Sequence, residues 1–257
     1  METLALKLVL TPALIGVATL VGRRWGQAVG GWLVGLPLTS GPVVLFLALD
    51  RGTAFAAKAA QGSLRGLVAE ASFALAYAWL AQRRAWPLAF LSGSLGFALA
   101  GFAMQSLAPA PALLVAMVIG ALALALLLLP SVTGIVAAVP AQRWDLPVRM
   151  VTATLLVLAL TGAAGWLGPQ LSGLLSTFPL FAGVLTVFAH HAQGKAAATN
   201  VLRGLLLGLF SFAAFFVALG ATIERFGIAP GFTAALSAAL AVQALSLFLA
   251  RRTLRRL

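Results

Sequence analysis

The amino-acid sequence predicts an all-α polytopic membrane protein. Of its 257 residues, 62% are hydrophobic and only 9% are charged, and the mean hydropathy is +1.06. About a quarter of the residues of a soluble domain are charged, so this composition is not that of a soluble domain. Apolar runs of about 20 residues, long enough to cross a bilayer as a helix, recur along the chain. The short alternating segments of a transmembrane barrel do not occur in the sequence.

These apolar runs predict about nine transmembrane spans, bounded where charges, prolines or glycines interrupt them. In chain order the spans are about 4–22, 27–49, 63–81, 87–107, 111–129, 148–167, 169–189, 203–222 and 231–250. No small-residue cleavage site follows the first run, so we expect a retained helix rather than a signal peptide. The segment 130–147 is the one long connection, and we expect its short apolar piece to be re-entrant or interfacial.

The basic residues predict the orientation of these spans. Placed on alternate sides of nine spans, twelve of the 17 Lys and Arg residues lie on one side and five on the other. The five are Lys7, Arg51, Lys58, Arg65 and Arg225. The positive-inside rule then places the N-terminus outside and the C-terminus in the cytoplasm of a bacterial inner membrane. Because the basic residues lie at span ends, the net charge of +12 indicates membrane lipids rather than nucleic acid as partners. The sequence is also compatible with an oligomer.

The chain also repeats itself. The stretch "LVGLPLTSGPV" resembles "LSGLLSTFPLF" further along, allowing a one-residue slip. At an offset of 138, "SLRGL" (63–67) matches "VLRGL" (201–205), and Gln105 matches Gln243. The common order of these matches predicts a duplication in which spans 1–4 correspond to spans 6–9.

Five is an odd number of spans, so the second copy enters the membrane in the opposite direction. The sequence therefore predicts two inverted-topology repeats of four spans joined by a central span, an architecture that many secondary transporters use. We place the first repeat at 1–110, the connecting span and cytoplasmic loop at 111–147, and the second repeat at 148–257.

The sharpest local feature is a helix break in each copy, within spans 2 and 7. Proline removes a backbone donor, and irregular backbone persists in a bilayer only where protein or water covers it. Paired breaks in corresponding positions indicate a solute site near the midplane. The candidate substrate-binding residues are Pro37, Thr39, Ser40, Gly41, Pro42, Ser176, Thr177 and Pro179. The alternative is two packing kinks whose hydroxyls bond back to their own helices.

Three further polar residues lie within or near predicted spans. Glu70 is the carboxylate placed deepest in a span, where ionisable groups are typical of proton relays. It is either a candidate coupling residue that carries protons, a partner for Arg65 or Lys58, or an interfacial residue. Gln105 and Gln243 are secondary polar candidates, and interhelical hydrogen bonds are their more common use.

These features favour a secondary transporter or permease that moves a small solute, with a passive channel or a non-transporting scaffold as alternatives. The sequence has no phosphate loop, metalloprotease motif or hydrolase triad, so we do not expect an enzyme or a cofactor. The chain has no cysteine, and the adjacent pair His190 and His191 is a poor metal site, so we expect no metal. The solute is not identified by these residues, which suit anions, sugars, amino acids or lipid headgroups alike.

Overall fold

The computed structural model describes residues 37, 40–107, 109–131 and 144–254, with six scattered positions among the first sixteen residues. This described part is 91% helix and contains no strand. Six of its helices are long and apolar enough to cross a membrane. The predicted all-α membrane character is therefore confirmed. Most of predicted span 1, the first part of span 2 and most of the 130–147 connection lie outside the described residues.

Eight helices are described from residue 40 onward, and we number them in chain order. They are α1 (Ser40–Arg51), α2 (Thr53–Ala81), α3 (Trp86–Leu107), α4 (Pro111–Leu128), α5 (Asp145–Ser176), α6 (Leu180–Gln193), α7 (Lys195–Phe226) and α8 (Ile228–Leu254). Helices α1 and α6 have 12 and 14 residues, too few to span a bilayer alone. The other six are the candidate spans.

Single glycines of one unusual conformation separate several helices. Gly52 precedes α2 with φ 88° and ψ 169°, and Gly194 precedes α7 with φ 83° and ψ −174°. Gly227, between α7 and α8, has φ 86°. Gly168 has φ 74° and ψ 171° inside α5 and divides it into 145–167 and 169–176. This backbone region is essentially restricted to glycine, so these residues permit abrupt changes of chain direction.

Helix α2 lies at the centre of the fold. It packs against α3, α5 and α7, and glycines allow these approaches: Gly93 lies on Phe73, and Gly220 lies on Ala60. The largest fully buried side chains include Phe46, Phe73, Tyr77, Phe215 and Phe216. Apolar side chains on α3 and α4 instead face outwards, with Phe102 76% and Leu127 82% exposed. Such exposed apolar surfaces are typical of helices that contact lipid.

The two short helices run in opposite directions relative to α2. Segment 169–193 follows α2 in parallel, because four contacts spread along it occur in the same order on both: Gly62 with Gln170, Gly66 with Thr177, Phe73 with Phe178, and Tyr77 with His190. Helix α6 therefore runs towards the C-terminal end of α2. Helix α1 starts beside Ser176 and ends at Arg51, and Gly52 joins it to the first residue of α2. It therefore runs towards the N-terminal end of α2.

Two long helices start earlier than hydropathy predicts. Helix α2 begins at Thr53 rather than near 63, and α7 begins at Lys195 rather than near 203. The charges of Lys58 and Arg65 end the apolar run in the sequence, but helical backbone bonding continues through both residues. Hydropathy marks the apolar part of a helix and not its hydrogen-bonded length. Arg65, expected at a span end, is thus an internal residue of α2.

Candidate functional site

The second predicted break interrupts the helical backbone, and at the first the described residues show the start of a helix. At the first, α1 begins at Ser40, and the Gly41 amide donates a 2.8 Å hydrogen bond to the Pro37 carbonyl. Thr39 lies outside the described residues. At the second, α5 ends at Ser176 and α6 begins at Leu180. Each short helix thus has its N-terminus at a break.

The two breaks contact each other. The Ser40 hydroxyl donates a 2.7 Å hydrogen bond to the Ser176 carbonyl oxygen, although the residues are 136 positions apart. Ser40 and Ser176 are each 1% exposed, and Thr177 is 3% exposed. Gly41, next in α1, faces the ring of Phe215 on α7. The structure therefore brings residues of both predicted breaks into one buried cluster.

The hydroxyl protons of this cluster are used within the protein. Ser176 Oγ donates to the Gly173 carbonyl at 2.6 Å, and Thr177 Oγ1 donates to the Leu174 carbonyl at 2.7 Å. These bonds back to the same helix are those of the packing-kink alternative. A hydroxyl that donates still has oxygen lone pairs that accept. In this arrangement a solute would meet hydrogen-bond acceptors in the cluster rather than free hydroxyl donors.

Helix α2 covers the second break closely. A Cβ on Gly66 would overlap Thr177 Oγ1, and one on Gly62 would overlap the Gln170 carbonyl. Ser63 Oγ also donates a 3.1 Å hydrogen bond to the Gly173 carbonyl. Small residues permit this close helix packing, and Ser63 satisfies a carbonyl near the break. The broken segment is therefore held against α2 by backbone-level contact.

Glu70 lies on the same face of α2 as the residues that contact the break. It is four residues after Gly66 and three before Phe73, which contact Thr177 and Phe178 respectively. Its side chain is 4% exposed, and none of the described residues hydrogen-bonds or ion-pairs with its carboxylate. Of the readings that the sequence leaves open, an ion pair of Glu70 with Arg65 or Lys58 is absent from the described structure.

The two glutamines lie elsewhere in the fold. Gln105 Oε1 accepts a 3.0 Å hydrogen bond from Arg65 Nη1, which joins α3 to α2. This is an interhelical hydrogen bond, which is the role that the sequence analysis favours for Gln105. Gln243 is buried in α8 at 5% exposure.

Sequence reasoning missed one polar pair. Tyr77 Oη and His190 Nδ1 lie 3.2 Å apart, and Tyr77 is fully buried. The adjacent histidine, His191, is exposed. The pair ties the C-terminal part of α6 to α2. The sequence does contain a signal for Tyr77, because it is the single tyrosine and lies seven residues after Glu70, on the same helical face. Its partner, 113 positions away, had no signal in the sequence.

Within the described residues, no group of three or more His, Cys, Asp and Glu side chains is placed to hold a metal ion. Comparison of the chain with protein-family models, with curated proteins and with solved structures finds no match. Function therefore has to be argued from the geometry of this fold alone.

Proposed function

We propose that this protein is a secondary transporter or permease of the bacterial inner membrane and moves a small solute across the bilayer. The observation that carries the proposal is the contact of the two helix breaks through Ser40 and Ser176. A break exposes backbone groups that are costly in lipid, so two breaks buried together are well suited to a central site. The candidate substrate residues are those of the two breaks.

An inverted repeat is supported by the order and direction of the helices. A short helix, a glycine of positive φ and two long helices occur as α1, Gly52, α2 and α3, and again as α6, Gly194, α7 and α8. The short helices run towards opposite ends of α2, as an inverted copy requires. The weak sequence matches at an offset of 138 fall within these same elements.

The nine-span topology is supported by contacts between helix ends. Gly168 divides α5 where predicted spans 6 and 7 meet. The Arg51 guanidinium lies against Gly165, and both residues belong to the predicted outer side. Trp79 donates to the Leu128 carbonyl at 3.0 Å, and Arg203 donates to the Pro130 carbonyl at 3.3 Å. Both of these pairs join ends that the nine-span order places on the cytoplasmic side.

Glu70 is the proposed coupling residue. Its carboxylate is buried on the face of α2 that covers the second break, without a neutralising partner among the described residues. A carboxylate in this setting is suited to bind and release a proton as its surroundings change between the two access states. Protons are accordingly the proposed coupling ion, and the solute binds at the adjacent break.

A scaffold without transport activity is the second candidate. It is favoured by the engaged hydroxyl donors of Ser176 and Thr177 and by the tight packing at Gly66. In a scaffold these contacts only stabilise two kinks. A passive channel is the third candidate, and its flux would not saturate with solute or require a coupling ion.

The test uses purified protein in proteoliposomes that contain a pH-sensitive dye. Sugars, amino acids and small anions are supplied in turn, and a solute-dependent proton flux identifies a substrate. The Ser40→Ala, Thr177→Ala double variant should lose this flux while remaining folded, whereas Ser106→Ala, at an exposed site on α3, should keep it. Full flux in the double variant would remove the site assignment. Absence of flux for every solute would favour the scaffold.

A further inference from the structure

A second polar site lies between α2 and α3, separate from the helix breaks. Arg65 is 3% exposed, and its Nη1 donates a 3.0 Å hydrogen bond to Gln105 Oε1. Glycines allow close packing on this side, with Gly96 beside Ser72 and Gly101 beside Leu174 of α5 as well as Ala69. The guanidinium is thus confined in a narrow interface rather than extended into solvent.

The charge of Arg65 has no counterion in the described structure. No carboxylate of the described residues forms an ion pair with it. Glu70 is five residues further along the same helix, about 140° around its axis, and so faces another neighbour. A buried charge is costly unless an opposite charge compensates it. An anion supplied from outside the chain would provide that compensation.

The hydrogen-bond donors of the pair are also incompletely used. Arg65 Nε and Gln105 Nε2 are both buried, and neither has an acceptor. Because Gln105 Oε1 is already bonded to Nη1, the remaining capacity of the pair includes two N–H donors beside a positive charge. Buried donors without acceptors destabilise a protein, and their presence is explained by a ligand that supplies acceptor oxygens.

We infer that Arg65 and Gln105 bind an oxyanion, a phosphate or carboxylate group with at least two free oxygens. One oxygen accepts from Arg65 Nε and another from Gln105 Nε2, as charge-assisted hydrogen bonds. The site does not depend on the proposed transport function, because it shares no residue with the breaks.

The oxyanion has two sources, which share this chemistry. Gln105 lies near the end of α3, and the adjacent surface is apolar and exposed, with Phe102 76% and Leu107 62% exposed. A phospholipid beside this surface would bring its phosphate to the helix end. A free anion from the aqueous phase is the other source.

The test measures the midpoint of thermal unfolding, Tm, of the full chain in a neutral, phosphate-free detergent. One arm adds phosphatidylglycerol and compares it with diacylglycerol of the same acyl chains. The other arm adds sodium phosphate and compares it with sodium chloride at equal ionic strength. We expect Tm of the unaltered protein to rise by about 5 °C in at least one arm. The responding arm identifies the source of the oxyanion.

Three variants decide the site. Arg65→Gln should abolish the rise, whereas Arg203→Gln, at the matching position of the second copy, should retain it. Gln105→Glu should raise Tm without ligand and remove the response, since its own carboxylate takes the place of the oxyanion. Absence of a rise in both arms, or an equal rise in Arg65→Gln, would overturn the inference. If Arg65→Gln does not fold, an unchanged response in Gln105→Glu would overturn it.

Discussion

The hydroxyl of Ser40 donates a 2.7 Å hydrogen bond to the carbonyl oxygen of Ser176. This one bond joins the start of a short helix to the end of another helix 136 residues later. Both residues lie at breaks that the sequence places in corresponding positions of two copies. The breaks therefore form one cluster, and the function proposed for the protein depends on that cluster.

The close contact between α2 and the second break should be sensitive to a single methyl group. Gly66→Ala would place a Cβ on Thr177 Oγ1 and 3.0 Å from the Leu174 carbonyl. We expect a loss of about 1–3 kcal/mol in the free energy of unfolding, because a packed interface has to move apart. Denaturant titration in mixed micelles measures it.

The matched control for this substitution is Gly120→Ala. An added Cβ at Gly120 meets no atom within 4 Å, and alanine favours helix more than glycine does. The control should therefore be neutral or slightly stabilising. Equal unfolding free energies for the two variants would contradict the close packing.

The glycine turns should each be intolerant of a side chain. Gly52 and Gly194 have φ of 88° and 83°, with no atom within 4 Å of an added Cβ. Alanine at either position should cost about 1–3 kcal/mol through backbone strain alone, since no contact is lost. Thermal unfolding of both single variants measures the cost. Wild-type stability in both would show that the turns adopt another conformation.

Reporter fusions test the inverted repeat. Fusions after Arg51 and after Gln193 end at turns that the proposed repeat makes equivalent, outside the helices that contain Arg65 and Arg203. Alkaline phosphatase should be active after Arg51 and inactive after Gln193, because the inverted copy places these turns on opposite faces. A fluorescent protein that folds only in the cytoplasm provides the reciprocal readout. Activity of one reporter at both sites would contradict inversion.

Glu70→Gln separates a coupling role from a structural one. The amide has nearly the same shape but no charge, and none of the described residues forms an ion pair with Glu70. Tm should therefore be unchanged or higher, because the cost of a buried charge is removed. Proton flux in proteoliposomes should be lost. A markedly lower Tm would instead indicate that the carboxylate has a structural partner.

The membrane class and the break after Ser176 are readable from the sequence, because hydropathy and proline act locally. The starts of α2 and α7 are not, since charged residues such as Lys58 and Arg65 end an apolar run without ending a helix. Gly168 was placed at a span boundary, but its positive φ has no separate signal. The pairs Arg65 with Gln105 and Tyr77 with His190 depend on tertiary packing between distant segments.

The central claim is that the cluster at the two breaks is reached by solute from both faces of the membrane. The chain has no cysteine, so the thiol of a Ser40→Cys variant is the single target for a membrane-impermeant maleimide. Ala60→Cys, fully buried against Gly220 of α7, is the packed control. We expect Ser40→Cys to be labelled in both right-side-out and inverted vesicles, with the control unlabelled in both. If Ser40→Cys is not labelled in one or both of the vesicle orientations, the claim is contradicted. Labelling in neither orientation would indicate that the breaks are packing kinks.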